Sequence, residues 1–341
     1  MRMKIKIDCP YCEGFANLCK EFKELNYRKD LFRIVGHFYK CEKCTEEFTT
    51  TETDTISLTQ VHNQYREKYN IPFPEEIAAI RGKYDLSASK MSEVLGLGAN
   101  GYSNYENGEI PTPAYGNLIS AAAEPSMFLI LLENSKEHFS ENAYVKVREK
   151  VLELIKTANA TNEMYSRLNV FNKANNYTGY KKLVPGKFAN LITHFIQHSN
   201  PDFNDKLKLN KLLFFTDFIH YKNFGTSISG LSYRAIQYGP VPANYDNIYA
   251  YLESENIVST QFLKLANGGA REVFITENVF FNKNLFTEEE IVTISTIVEK
   301  FANISTWEIV DLSHKEKAWK ELEDKKELIG YQDYAFELLA I

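Results

Sequence analysis

No run of about 18 uninterrupted apolar residues occurs in the 341-residue chain, so no stretch reads as a membrane-spanning helix. The start, Met1-Arg2-Met3-Lys4, lacks the apolar core of a secretory signal. Together these predict a soluble, cytoplasmic protein with no membrane partner. A surplus of positive charge is missing as well: 39 Lys and Arg stand against 45 Asp and Glu, a formal charge of −6. A protein that coats nucleic acid without regard to sequence is thereby excluded, and any DNA contact must come from a local patch. There is no Gly-rich phosphate loop and no HExxH helix, because Phe195 follows His194. Cysteine is scarce at five residues, yet four of them fall in two CxxC pairs, which suits a reducing compartment where thiols hold metal.

What is abundant is core material. Hydrophobic residues make up 44% of the chain, with 23 Phe and 21 Tyr, so packed domains are expected rather than long disorder. The length suits two or three domains. The fold class predicted is multidomain and mainly α: a small β zinc finger over 1–53, a linker helix and an all-α helix-turn-helix domain over 54–134, a helical connector over 135–179, and a helix-rich α+β domain over 180–341.

The finger is the clearest motif. Cys9-Pro10-Tyr11-Cys12 and Cys41-Glu42-Lys43-Cys44 lie 28 residues apart, and two such turns facing each other offer the tetrahedral sulfur set that Zn²⁺ prefers. Four thiolates close the shell, which predicts one structural zinc per chain held by Cys9, Cys12, Cys41 and Cys44 and leaves no open position for catalysis. Leu31–Tyr39 reads as a strand returning to the second pair, with His37 a strand residue rather than a ligand. So short a unit cannot bury enough surface alone, and metal binding should supply about 10 kcal/mol or more of its folding energy. A redox CxxC is the weaker reading, since no βαβ context accompanies it. Cys19 is left over as an inert small core residue.

A polar helix is predicted from Asp54 to Tyr69, ended by Ile71-Pro72-Phe73-Pro74. Helices are then expected over Glu75–Tyr84, from an N-cap at Ser87 through Leu95, over Asn100–Asn107, and from a cap at Thr112 to Ala123. Gly96-Leu97-Gly98 is the turn before the third, the arrangement of a helix-turn-helix whose post-turn helix enters a major groove. Residues 1 to about 134 resemble the MqsA-type antitoxins through the paired knuckles, Leu86-Ser87, Leu95-Gly96 and Tyr102-Ser103-x-Tyr105-Glu106-Asn107-Gly108. The resemblance implies a structural zinc, a homodimer and repression of the chain's own operon, with Asn100, Tyr102, Ser103 and Asn104 as the DNA-contacting set and Asn100 as base reader. Where the family carries an Arg before Tyr-Glu, this chain has Asn104. Arg reads guanine through two parallel donors whereas Asn prefers adenine. Residues 71–134 hold three basic side chains, Arg81, Lys83 and Lys90, against eight acidic ones, which predicts weak phosphate neutralisation.

Phe128–Leu132 is apolar nearly all round and is expected to be buried, under the helix-turn-helix or across a dimer interface. Ala143–Ala158 is amphipathic, while Asn159–Asn162 and then Asn172–Thr178 read as a domain boundary. Beyond it, Phe188–His198 and Lys206–Phe224 are predicted helices with one strongly apolar face. Ser232–Tyr238 reads as a strand ended by a Pro-bracketed turn at Gly239–Pro242, and Gln261–Thr276 as a hairpin around Asn267-Gly268-Gly269. Glu288–Phe301 and Trp307–Leu312 return to helix. Lys208-Leu209-Asn210-Lys211-Leu212-Leu213-Phe214-Phe215, then Gly230-Leu231-x-Tyr233-x-Ala235 with Tyr238-Gly239-Pro240-Val241-Pro242, and the late His314-Lys315-Glu316-Lys317-Ala318-Trp319 resemble the Panacea (SocA-like) domain over roughly 180–325. That likeness implies neutralisation of a cognate protein toxin by direct binding.

Catalytic constellations are thin. His194 and His198 stand four apart without a carboxylate to complete a metal set, and His314 has no nucleophile beside it. The expected function is therefore a non-enzymatic antitoxin of a toxin–antitoxin system, with Tyr233, Tyr238, Pro240, Val241 and Pro242 as candidate partner contacts. A DNA-binding regulator with a sensor or protease-adaptor C-terminal domain is the second reading. A hydrolase using His194, His198 and His220 is the third.

Overall fold

The structure, a computed structural model, describes residues 3–168, 173–264, 269–276 and 281–340. It is 54% helical with a small N-terminal sheet, a multidomain and mainly α chain. Packing divides it into two units, Met1–Val61 with Arg167–Ile341, and His62–Ser166.

The first unit opens with an antiparallel sheet in the order β1 (Lys6–Asp8), β2 (Phe15–Tyr27), β3 (Asp30–Cys41), β4 (Glu47–Phe48). The strand expected over Leu31–Tyr39 is thus one arm of a longer hairpin, in register from Ala16↔Cys41 to Tyr27↔Asp30. The β2 arm hides in the sequence because its charged residues, such as Lys20, Glu21 and Glu24, face solvent and blur the alternation. Helix α1 (Thr51–Tyr69) follows, and its residues up to Val61 belong to this unit.

The second unit is all helix: the end of α1 from His62, α2 (Pro74–Lys83), α3 (Ala88–Leu95), α4 (Gly101–Glu106), α5 (Pro113–Ala121), α6 (Pro125–Asn134) and α7 (Glu141–Leu168) as far as Ser166. Ser87 caps α3 by accepting from the Lys90 amide, and Thr112 caps α5 by accepting from Tyr115. Gly96 and Gly98 both take left-handed backbone, φ +63° and +76°, which admits the sharp turn between α3 and α4. The core joins Ile77, Ile80, Met91, Leu95, Tyr102 and Ile119 to α6 and α7, with Tyr84 stacked on Phe128 at 3.7 Å.

Two expectations need correction here. The segment Phe128–Leu132 is not buried all round under the helix-turn-helix: Phe128 and Leu132 face the core four residues apart, whereas Ile130 between them is exposed on the single chain. Asn159–Asn162 is not a break either, because α7 continues through it to Leu168. No Gly or Pro lies between Glu141 and Leu168, and Asn costs at most about 0.7 kcal/mol relative to Ala in a helix, too little to end one. Asn172, the start of the second expected break, lies outside the described residues.

The C-terminal half is built on α9 (Lys206–Phe224), preceded by α8 (Pro185–His198). Every residue from Lys208 to Tyr221 is buried, so α9 is a central helix covered on all sides rather than an amphipathic one. Around it lie β5 (Tyr233–Ile236), β6 (Gly239–Pro242), α10 (Tyr245–Ser254), β7 (Ser259–Lys264), β8 (Ala270–Ile275), α11 (Glu288–Phe301), α12 (Thr306–His314), α13 (Lys317–Leu322) and α14 (Tyr331–Tyr334). Gly239–Pro242, expected as a turn, is itself a strand paired with β5, and the turn falls one step earlier at Gln237-Tyr238. Two prolines are tolerated because the ribbon has only two strands, leaving one edge that needs no amide donor. Strands β7 and β8 pair as expected, while the Asn267-Gly268 turn joining them lies outside the described residues.

The finger's sheet belongs to the same packed unit as this half. Gln60 on α1 treats Val35 of β3 as a neighbouring strand would, accepting from its amide at 2.8 Å and donating to its carbonyl at 2.9 Å. Gln332 donates to Gln60 at 2.7 Å and accepts from Tyr221 at 2.9 Å. Lys20 of β2 donates to the Phe336 carbonyl at 2.5 Å, and His37 packs its ring edge-on against Phe336.

Candidate metal centre and binding surfaces

The four cysteines meet. Cys9 Sγ lies 3.7 Å from Cys44 Sγ and Cys12 Sγ 3.5 Å from Cys41 Sγ, with all four sulfurs within 4.8 Å of one another. A tetrahedron with metal–sulfur bonds of about 2.3 Å has edges of roughly 3.8 Å, so the spacing fits a four-thiolate metal site. It does not fit disulfides, whose sulfurs stand about 2.05 Å apart. Backbone amides support the sulfurs: Tyr11 donates to Cys9, and Lys43 and Cys44 donate to Cys41. The Cys44 and Lys43 amides pull the Cys41 thiol down to about 6 against the drive of burial, which favours the thiolate that binds metal. Gly14 is needed beside them, since a Cβ there would come within 2.8 Å of Lys43 Cβ and 3.2 Å of two sulfurs. Cys19 stands apart, half-buried, and His37 is a buried β3 residue outside the cluster.

In the helix-turn-helix, Asn100 and Asn104 are exposed at the start and on the face of α4, with Ser103 half-buried between them. Tyr102 cannot contact DNA. It is 0% exposed, its hydroxyl donates to the Ile77 carbonyl at 2.7 Å, and it is a core pillar because its position on α4 points inward. Glu106, part of the Tyr-Glu signature, clamps Arg81 of α2 at 2.6 Å. The other basic residues are also engaged: Lys90 meets Glu93 and the His138 carbonyl, and Lys83 meets the Ala123 carbonyl. The three cations counted from sequence therefore all bind within their own unit.

The C-terminal motifs turn out to be mostly scaffold. Lys208 donates to the carbonyls of Ala302 and Ile304, closing the end of α11, and Lys211 donates to Pro240 at 2.8 Å. Burial pushes Lys208 down to about 8 and Lys211 down to about 7. Gly239, at φ +92°, lies so close to Ser313 and Lys211 that a Cβ would stand 2.3 Å from the Ser313 hydroxyl. Trp319 donates to the Ile236 carbonyl at 2.7 Å and stacks on His314 at 3.9 Å. Of the expected partner contacts, Tyr233, Pro240, Val241 and Pro242 are buried and only Tyr238 is exposed. Tyr233 is turned inward by its hydroxyl, which donates to Asp217 at 2.7 Å.

Asp217 was not legible as important, although a lone acid in the apolar run Leu212–Ile219 is a signal. Fully buried, it accepts the amides of Ile228 and Ser229 and the hydroxyls of Ser229 and Tyr233, so four donors offset a burial that raises its pKa. The rings of His194 and His198 lie tilted against each other with centroids 4.1 Å apart, and His220 is buried against Thr293 at 3.0 Å. Among the described residues, the four cysteines are the one group of three or more ligand side chains placed to hold a metal.

A four-thiolate finger, a helix-turn-helix and a helix-rich α+β domain define a multidomain, metal-binding regulatory protein. Residues 7–119 match the family described as the antitoxin component of a bacterial toxin–antitoxin system, MqsA. Residues 209–320 match the antitoxin SocA-like, Panacea domain. The chain is similar to Antitoxin MqsA of Escherichia coli (strain K12), 29% identical over an alignment of 106 residues, with 29% of this chain and 79% of that protein covered. No solved structure matches. Two antitoxin family patterns thus match different parts of one chain, and both support an antitoxin role. No single helix among the described residues is long and apolar enough to cross a membrane.

Proposed function

We propose that this protein is the antitoxin of a type II toxin–antitoxin system, acting in the cytoplasm and neutralising a protein toxin by direct binding through its C-terminal half. The observation that carries the reading is the joining of two antitoxin patterns, one over 7–119 and the other over 209–320, in a single chain. The metal is Zn²⁺, one per chain, and its role is structural, because four thiolates leave no coordination position for substrate. The test is co-expression with the neighbouring reading frame: that product should arrest growth alone and lose its toxicity with this chain present. A product harmless alone, or equally toxic with the chain, sinks the reading.

Operator binding by a homodimer is the second part of the proposal, supported by the exposed Asn100 and Asn104 on α4. With the three cations of residues 71–134 engaged internally, the helix-turn-helix has little of its own to offer phosphates, so specific binding should be weak and adenine-directed. A gel shift with the chain's own promoter should show a specific complex that Asn100→Ala abolishes. A complex indifferent to that substitution would remove α4 as the reader.

A further inference from the structure

Two exposed aromatic side chains of the C-terminal half touch each other. Tyr238, at the tip between β5 and β6, and Trp307, on the first turn of α12, meet edge to face with centroids 6.3 Å apart, and they are 48% and 57% exposed. Beneath them the backbone is fixed from both sides. Trp319 holds the Ile236 carbonyl before the tip, Lys211 holds the Pro240 carbonyl after it, and Gly239 closes the turn against Ser313. A tip so braced loses little freedom when a partner seals it, which favours affinity. Exposed Trp and Tyr in contact are the side chains that most often dominate a protein interface.

The surroundings state the partner's charge. Beside Trp307 the exposed positions of α12 are Glu308 and Asp311, both acidic, and the next basic residue along the chain is Lys315, beyond the end of the helix. Glu308, whose carboxylate also accepts the Ser305 amide at 2.7 Å, and Asp311, one turn on from Trp307, make the exposed charge of α12 acidic, which disfavours nucleic acid and favours a basic protein surface. We propose that Tyr238 and Trp307 anchor the toxin, which presents an apolar pocket rimmed by basic side chains to Glu308 and Asp311. This rests on the antitoxin reading and names the surface and the partner chemistry that the reading leaves unspecified.

The experiment titrates the 341-residue chain against the purified product of the adjacent reading frame by calorimetry, alongside growth rescue in cells. Trp307→Ala and Tyr238→Ala should each weaken binding by about 30-fold or more, and Tyr238→Phe should keep most of it. Asp311→Lys should weaken it by roughly 10-fold at low salt and by less at high salt. Both aromatics are exposed, so melting temperature and zinc content should stay unchanged. A folded Trp307→Ala/Tyr238→Ala double variant that binds within about twofold of wild type overturns the proposal. So does a double variant that loses self-association but keeps toxin affinity, since the face would then belong to a second copy. If the wild type neither binds nor rescues, the antitoxin reading fails first, and the proposal falls with it.

Discussion

Replacing Gln60 with Ala should destabilise the unit that contains both the finger and the C-terminal half. Gln60 is fully buried and supplies the Val35 amide and carbonyl with the partners a further strand would have given, while it also accepts from Gln332. Truncation leaves two backbone groups and one side-chain amide seeking partners in an enclosed site. At about 1–3 kcal/mol per unsatisfied buried group, reduced where water enters the vacated space, the loss is about 2–5 kcal/mol. For domains of 150–250 residues each kcal/mol moves the melting temperature by about 2–4 °C, which gives a drop of roughly 4–20 °C. Thermal melts should show it, and hydrogen exchange should show the Val35 amide and the Tyr331–Phe336 segment losing protection together. Gln60→Met separates pairing from packing, since it fills the space without the amide and should lose nearly as much. A Gln60→Met protein melting with the wild type would refute the reasoning, because packing rather than polar pairing would then hold the junction.

Stripping the metal with a chelator, or Cys41→Ser, should remove one zinc per chain by elemental analysis. It should also expose Phe336–Leu338 to exchange, because the ligand Cys41 ends β3, and the β2–β3 hairpin it anchors carries Lys20 and His37, which meet Phe336. Gly239→Ala places a Cβ where Ser313 and Lys211 already stand and strains a positive φ, so a loss of about 2 kcal/mol or more is expected in urea unfolding, with Ser313→Gly restoring part of it. Burial, assisted by Lys181 and Lys187, holds His220 down to about 3, so the folded chain keeps it neutral while the unfolded chain takes up a proton below about 6.5. Stability should therefore fall as pH drops from about 6.5, by up to roughly 1.4 kcal/mol per pH unit from this group, and His220→Gln should flatten that slope in denaturation series between pH 7 and 5.

The local features carried by short-range chemistry were legible. The CxxC spacing, the caps at Ser87 and Thr112, and the glycine turn before α4 depend on residues a few positions apart, and the structure places them as the sequence implies. What depends on long-range packing was not. Nothing near Lys208 and Lys211 in sequence shows that each lies under a carbonyl contributed by residues far along the chain. Tyr233 and Pro240 read as contact residues because aromatics and prolines mark both surfaces and cores, and periodicity cannot separate the two on a helix or ribbon buried on every side. Trp307 went unremarked as a binding residue because its exposure is set by how α12 lies, not by its neighbours in sequence.

The tip between β5 and β6 divides labour unusually cleanly. Its support comes from Lys211, Gly239, Ser313 and Trp319, and none of these needs the side chains of Gln237 or Tyr238 for its own place. Those two positions can accordingly change by mutation without refolding what lies below. The domain is built as a fixed socket with an exchangeable head, so a library confined to 237, 238 and 307 is the economical route to retargeting it.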